Sequence, residues 1–142
     1  MSKTTKESVE KRIGKILSSL DMGEPGTGYE GTKAKLRKIC DWIEAGLRGG
    51  AKKALVVSLQ PGFQATMGQQ LNVVVEIPER HFQDTLFRAY VPLAGQPIQL
   101  DFYGEEPTET QTLEEMEDAI IEFLDRPEIK GRLNDYRSLA RK

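Results

Sequence analysis

Two residue types that carry much of protein reaction chemistry are nearly missing: the 142-residue chain has one cysteine, Cys40, and one histidine, His81. A single cysteine excludes an intrachain disulfide and any cysteine-rich zinc site. A single histidine leaves the usual zinc centres short of ligands. A serine or cysteine nucleophile activated by histidine would have to use His81, which lies in Glu79-Arg-His-Phe-Gln-Asp84 between two predicted strands. A lone histidine in a turn is ordinarily solvated, so it receives no catalytic role. Calcium loops of the D-x-D-x-D-G type are absent from the sequence, and no metal or cofactor is expected. Long hydrophobic runs are missing too. Nothing approaches the ~18 apolar residues of a membrane span, and Met1–Glu10 is too polar for a secretory signal. These features lead to the expectation of a cytoplasmic protein with no membrane association.

Charged residues make up 30% and hydrophobic residues 38% of the chain, with apolar periodicity along most of its length. That profile and a length near the commonest domain size predict one folded domain over residues 1–142. The formal net charge of −2 hides a segregation. Residues 1–53 carry 12 basic and 7 acidic side chains, whereas residues 101–125 hold ten acids and no base.

Thr4-x-x-Glu7 forms a capping box ahead of Val9, Ile13, Ile16, Leu17 and Leu20, which recur at helical spacing. Glycine and proline between Asp21 and Gly31 end that helix, and a second is predicted from about Thr32 to Leu47 with the stripe Leu36, Ile39, Cys40, Ile43 and Leu47. Cys40 falls within this stripe and reads as a small buried hydrophobe. Trp42 falls on its flank and reads as a half-buried packing residue. The period then changes. Ala54–Leu59, Leu71–Ile77, Thr85–Val91 and Ile98–Tyr103 are β-branched, partly alternating runs bounded by proline and glycine. Their short connections favour antiparallel pairing, and Pro61–Gln70, just long enough for a parallel crossover, carries proline, two glycines and glutamines that do not support a crossover helix. Thr112-Leu-Glu-Glu115 is another capping box, followed by Leu113, Met116, Ile120, Phe123 and Leu124. Pro127 either breaks this helix or opens a further one that carries Ile129, Leu133, Tyr136 and Ala140. The resulting expectation is an α+β fold: a four-stranded antiparallel meander with two N-terminal and two C-terminal helices, mainly on one face.

Three functional readings follow. If Leu55, Leu71, Phe87 and Ile98 and their alternate neighbours face the helices, the opposite face shows Val56, Ser58, Asn72, Val74, Glu76, Leu86, Arg88, Tyr90, Gln99, Asp101 and Tyr103. That mixture is too polar for a core and more apolar than solvation requires. It suits a protein partner or a second copy of the chain, with Glu76, Arg88, Tyr90, Asp101 and Tyr103 as contact residues. This leading reading is a non-enzymatic binding or adaptor domain, because no complete catalytic set is visible.

The second reading rests on Gly26-Thr-Gly28-Tyr-Glu-Gly31-Thr32-Lys33. Free N–H groups at a helix start hold anions, and Lys33 and Lys35 stand where acids are preferred. Gly28, Gly31, Thr32, Lys33 and Lys35 would then contact a phosphorylated or carboxylated small molecule, with Pro61–Gly68 as a lid. The segment has no strand before it, and Thr32-Lys33 inverts the order a phosphate loop requires, so neither nucleotide motif is complete. The third reading is nucleic-acid binding through Lys33, Lys35, Arg37, Lys38, Arg48, Lys52 and Lys53. It competes with the i,i+4 pairs Arg37–Asp41 and Glu44–Arg48 and with the acidic segment, which would repel a polyanion.

Overall fold

The computed structural model describes residues 9, 11–13, 28–49, 54–102 and 105–141. In chain order these form α1 (Gly28–Leu47), β1 (Val56–Ala65), β2 (Gly68–Ile77), a 3-10 turn at Pro78–Arg80, β3 (Phe82–Pro92), β4 (Ile98–Asp101), β5 (Thr108–Thr110), α2 (Leu113–Leu124) and α3 (Pro127–Arg141). Val9 and Lys11–Ile13 are helical, and the remainder of the helix expected after Thr4 lies outside the described residues.

The fold is α+β, and its strands pair antiparallel in sequence order, β1-β2-β3-β4-β5. The sheet therefore has five strands where four are expected. β5 is a Thr-Glu-Thr triplet with no apolar alternation to announce it. It is held by pairing with β4 and by the Thr110 hydroxyl, which donates to the Ile98 carbonyl at 3.2 Å. The expected loop from Pro61 to Gln70 is also strand. β1 runs through Pro61 and Gly62 with a register irregularity between Pro61 and Gln64, then turns at Thr66-Met67 into β2. Proline and glycine are tolerated here because β1 is an edge strand and the irregularity falls on them. The segment is a hairpin arm and not a lid.

One face of the sheet meets the helices. Leu71, Val73, Val75, Ile77, Phe87, Ala89, Val91, Ile98 and Leu100 join Leu36, Ile39, Cys40, Ile43 and Leu47 of α1, Met116, Ile120 and Phe123 of α2, and Ile129, Tyr136 and Ala140 of α3 in one apolar cluster. Three aromatic rings lie at its centre. Phe102 and Phe123 stack with centroids 4.3 Å apart, and Phe87 meets each of them edge-on at 5.8 Å. Such pairs add about 0.5–1.5 kcal/mol each to the area they bury.

The alternation of β3 breaks once. Val73 pairs with Phe87 but Val74 pairs with Thr85, so Leu86 is an inserted residue. A bulge of this kind lets two consecutive side chains turn to one side. Leu86 is fully buried in the core cluster, which corrects its expected place on the opposite face. Upstream of the bulge the parity is reversed, and Asp84 and Phe82 stand opposite Val75 and Ile77 on the helix side.

The helix ends follow local chemistry. Thr112 caps α2 by accepting from the Glu115 N–H at 3.0 Å, while the Glu115 carboxylate accepts from the Gln111 N–H. Pro127 is the first residue of α3, where its missing N–H costs no helix hydrogen bond. Among the described residues no helix is long and apolar enough to cross a membrane.

Candidate functional site

The second face of the sheet is built by register. Gln60, Asn72, Arg88 and Asp101 stand directly opposite one another across β1 to β4 and form one row. Gln70, Tyr90, Gln99 and Glu109 form the next row across β2 to β5. Residues in register lie about 4.5–5.5 Å apart, so the two rows make a continuous band of amides, carboxylates, one guanidinium and one phenol. None of these residues belongs to the helix-side core cluster. Gln70, Arg88, Tyr90, Gln99, Asp101 and Pro107 surround a shallow depression of about 320 Å³.

Of the five expected contact residues, Arg88, Tyr90 and Asp101 surround this depression together. Glu76 is on the same face but in a different row, where it accepts a hydrogen bond from the Gln60 amide. Tyr103 lies outside the described residues. Arg88 and Asp101 are cross-strand partners of opposite charge. The Tyr90 hydroxyl leans over Gly68, close enough that a Cβ there would come within 2.8 Å of it. The amides of Gln70 and Asn72 are linked at 3.2 Å, Gln70 donating. Side-chain hydrogen bonds thus link Gln70 to Asn72 and Gln60 to Glu76, and half-buried Arg88, Tyr90 and Asp101 lie beside exposed Gln99 and Glu109.

Apolar residues flank the Tyr90 end. Phe63 is 70% exposed and Met67 68% exposed on the β1–β2 hairpin, and Leu93 is 59% exposed just beyond β3. The Leu93 N–H donates to the Met67 carbonyl at 2.8 Å, which places Met67 and Leu93 side by side. Phe63 and Met67 fall in the segment expected to be a loop. Only the pairing of Ala65 with Gly68 brings them to the end of the sheet.

The glycine-rich segment has a different role from the one its composition suggests. α1 runs from Gly28, whose φ is +74°, and not from near Thr32, so Gly31 is inside the helix, and Lys33 and Lys35 fall in its second turn. The dipole's pull on charge fades within the first turn, and the acid there is Glu30. Gly28 is pressed against the β3–β4 connection: a Cβ on Gly95, whose φ is +90°, would lie 2.5 Å from the Gly28 carbonyl carbon. Thr32 is buried and donates its hydroxyl to the Gly95 carbonyl at 3.2 Å. Tyr29 donates to the Gln69 side chain at 2.7 Å. Lys35 pairs with Glu117 at 3.0 Å, and its ammonium lies 5.1 Å from the Trp42 ring centre. Tyr29 and Thr32 dock α1 on β2 and on the β3–β4 connection, and Lys35 ties it to α2. Residues 14–27, with Gly23 and Gly26, lie outside the described residues.

Of the basic residues considered for nucleic acid, Arg48 pairs with Glu44 at 3.6 Å. Lys52 and Lys53 are outside the described residues. Glu44 also accepts from the Val57 N–H at 2.9 Å and so occupies part of the outer edge of β1. His81 is exposed in a turn at φ +52°. Among the described residues no three His, Cys, Asp or Glu side chains converge as a metal site.

One polar cluster was invisible in the sequence. Because of the Leu86 bulge, Asp84 points to α3, where it pairs with Arg132 at 2.8 Å and accepts from the Tyr136 hydroxyl. Arg132 also donates to Tyr136 at 3.1 Å and to the Thr85 carbonyl at 3.3 Å. Burial, and then the hydrogen bond to Asp84, push the Tyr136 phenol up to about 12. The cluster clamps α3 to β3. Cys40 is buried in α1, and desolvation followed by the charges of Asp41 and Glu44 pushes its thiol up to about 12, far from the thiolate a nucleophile needs.

Comparison with known protein families, curated proteins and solved structures gives no match for this chain.

Proposed function

We propose that this protein is a non-enzymatic binding domain that engages a protein partner through the open face of its sheet. The observation that carries the reading is the pair of registered rows around Arg88, Tyr90 and Asp101, outside the core cluster and continued by exposed Phe63, Met67 and Leu93. An aromatic and an arginine inside a polar band, with apolar side chains beside them, match the composition of protein interfaces. The hydrogen bonds linking Gln70 to Asn72 and Gln60 to Glu76 lower the entropy lost when a partner immobilises these side chains. A second copy of the chain is one form such a partner can take.

The test is a chemically crosslinked co-purification compared quantitatively between wild type and an Arg88→Ala/Tyr90→Ala variant, with unchanged far-UV circular dichroism as the folding control. The reading requires specific partners, including any second copy, to be depleted from the variant. An identical partner set from both proteins would remove its basis. The anion-binding reading is the second proposal and rests on Lys33, whose ammonium lies 5.8 Å from the Tyr29 ring centre, because Lys35 is paired with Glu117. Thermal shift against nucleotides and phosphosugars, repeated in Lys33→Ala, separates it from the first.

A further inference from the structure

Each of the three helices carries a second row of residues beside the stripe it buries. On α1 the row is Trp42 and Gly46, on α2 Ile121 and Leu124, and on α3 Leu133 and Arg137; together they wall a groove of about 450 Å³. Two of the apolar walls are uncovered, Trp42 at 54% and Ile121 at 56% exposure. A Cβ on Gly46 would meet nothing within 4 Å, so the missing side chain leaves open space in the groove. A concave volume of this size with mostly apolar walls and a few polar groups is that of a small-molecule site.

The charges on the walls do not cancel. Glu117 is paired with Lys35 at 3.0 Å, and Lys130 with Asp125 at 2.8 Å. Arg137 has no such partner: its Nε is buried without a hydrogen bond, and no carboxylate among the described residues pairs with it. A buried N–H without an acceptor is costly, and a carboxylate is the acceptor whose geometry a guanidinium fork matches. Arg137 also marks the end of the groove that receives it. Its Nη2 lies 3.8 Å from where a Cβ on Gly49 would stand, just past the end of α1. At the α2 wall, by contrast, exposed Asp118, Glu122 and Asp125 flank Ile121 and repel an anion. From Leu47 back to Ile39 the groove follows α1 for about 12 Å, which a chain of about ten carbons spans when extended.

We infer that this groove is a binding site for a medium-chain monocarboxylate, with the carboxylate on Arg137 and the apolar chain running past Gly46 and Trp42. The site shares no residue with the depression on the open sheet face and does not depend on it.

The probe is decanoate, kept below its micelle concentration and titrated into the full chain by calorimetry, with Trp42, the only tryptophan, as a fluorescent reporter. Decanol and octanoate are the comparison ligands. The variants are Arg137→Gln and Gly46→Leu, both outside the core cluster, and far-UV circular dichroism with a urea transition confirms that each is folded. The site requires saturable binding with a blue shift of Trp42 emission, and octanoate, which buries two fewer methylenes, should bind about fifteenfold more weakly. Arg137→Gln should weaken decanoate by about tenfold or more and leave decanol unchanged, because only the anion uses the guanidinium. Gly46→Leu should weaken both ligands, because its side chain occupies the groove. Absence of saturable decanoate binding overturns the proposal, as does equal decanoate affinity in wild type and Arg137→Gln. Trp42 shielded from acrylamide before any ligand is added overturns it too, in favour of a second copy if the shielding grows with protein concentration and of a segment of this chain if it does not.

Discussion

Replacing Tyr136 with phenylalanine isolates one oxygen atom in the clamp between α3 and β3. The ring is nearly fully buried and packs on Phe82 at a centroid distance of 5.6 Å, and phenylalanine preserves that contact. What disappears is the hydroxyl that donates to the Asp84 carboxylate and accepts from Arg132 at 3.1 Å. Hydrogen bonds to charged groups contribute about 1.5–3 kcal/mol. The Arg132–Asp84 pair at 2.8 Å survives the change, so the loss should stay within that range. The effect has a pH signature. Burial, and then the hydrogen bond to Asp84, raise the phenol from its ordinary value of 10.0 to about 12 on folding. Its contribution is therefore complete below pH 10 and disappears as pH rises through 12, because the unfolded chain releases the proton first. Two pH units correspond to on the order of 2–3 kcal/mol. Urea unfolding of wild type and Tyr136→Phe at pH 7 and at pH 11 measures this directly. The difference should be largest at pH 7 and smaller at pH 11, with lysine and Cys40 titration common to both proteins. Equal stabilities at pH 7, or a gap that does not shrink at pH 11, would refute the clamp.

Two further perturbations follow from the packing. Gly95→Ala places a Cβ at φ +90° and 2.5–2.7 Å from Gly28 backbone atoms, so it should destabilise by about 1–3 kcal/mol or more; a melting temperature equal to wild type contradicts the close approach. Cys40 is buried, and its thiol is pushed up to about 12, so an aromatic disulfide reagent at pH 8 should label it only as fast as the chain unfolds, and rapid labelling in the absence of urea contradicts this.

The parts of the fold legible in the sequence are those fixed by neighbours a few residues apart. The Thr112–Glu115 box and Pro127 mark the starts of α2 and α3, and the stripe from Leu36 to Leu47 marks the buried side of α1. Alternation in β4, in the second half of β3 and in β2 apart from Val74, which is buried although it lies on the second face, separates the two sheet faces and groups Glu76, Arg88, Tyr90 and Asp101. What was hidden depends on distant partners. β5 exists because β4 offers a free edge, and the Leu86 bulge exists because β2 is one residue shorter than β3 over the same span. Gly28 and Gly31 read as a loop because nothing local reveals that Gly95 will admit the first turn of α1. Trp42 is 54% exposed, half-buried as expected, and borders a groove whose other walls come from α2 and α3.

The central claim is that the face around Tyr90 receives a protein partner. Site-specific photo-crosslinking tests it most directly, with a photoreactive side chain placed in turn at Gln99, at Asn72 and, on the helix side, at exposed Glu128 and Asp135. The account predicts discrete protein adducts from positions 99 and 72 that vanish when Tyr90 is replaced by alanine, and none of these adducts from positions 128 and 135. The same adducts from all four positions, or adducts at 99 that persist without the Tyr90 ring, would contradict it.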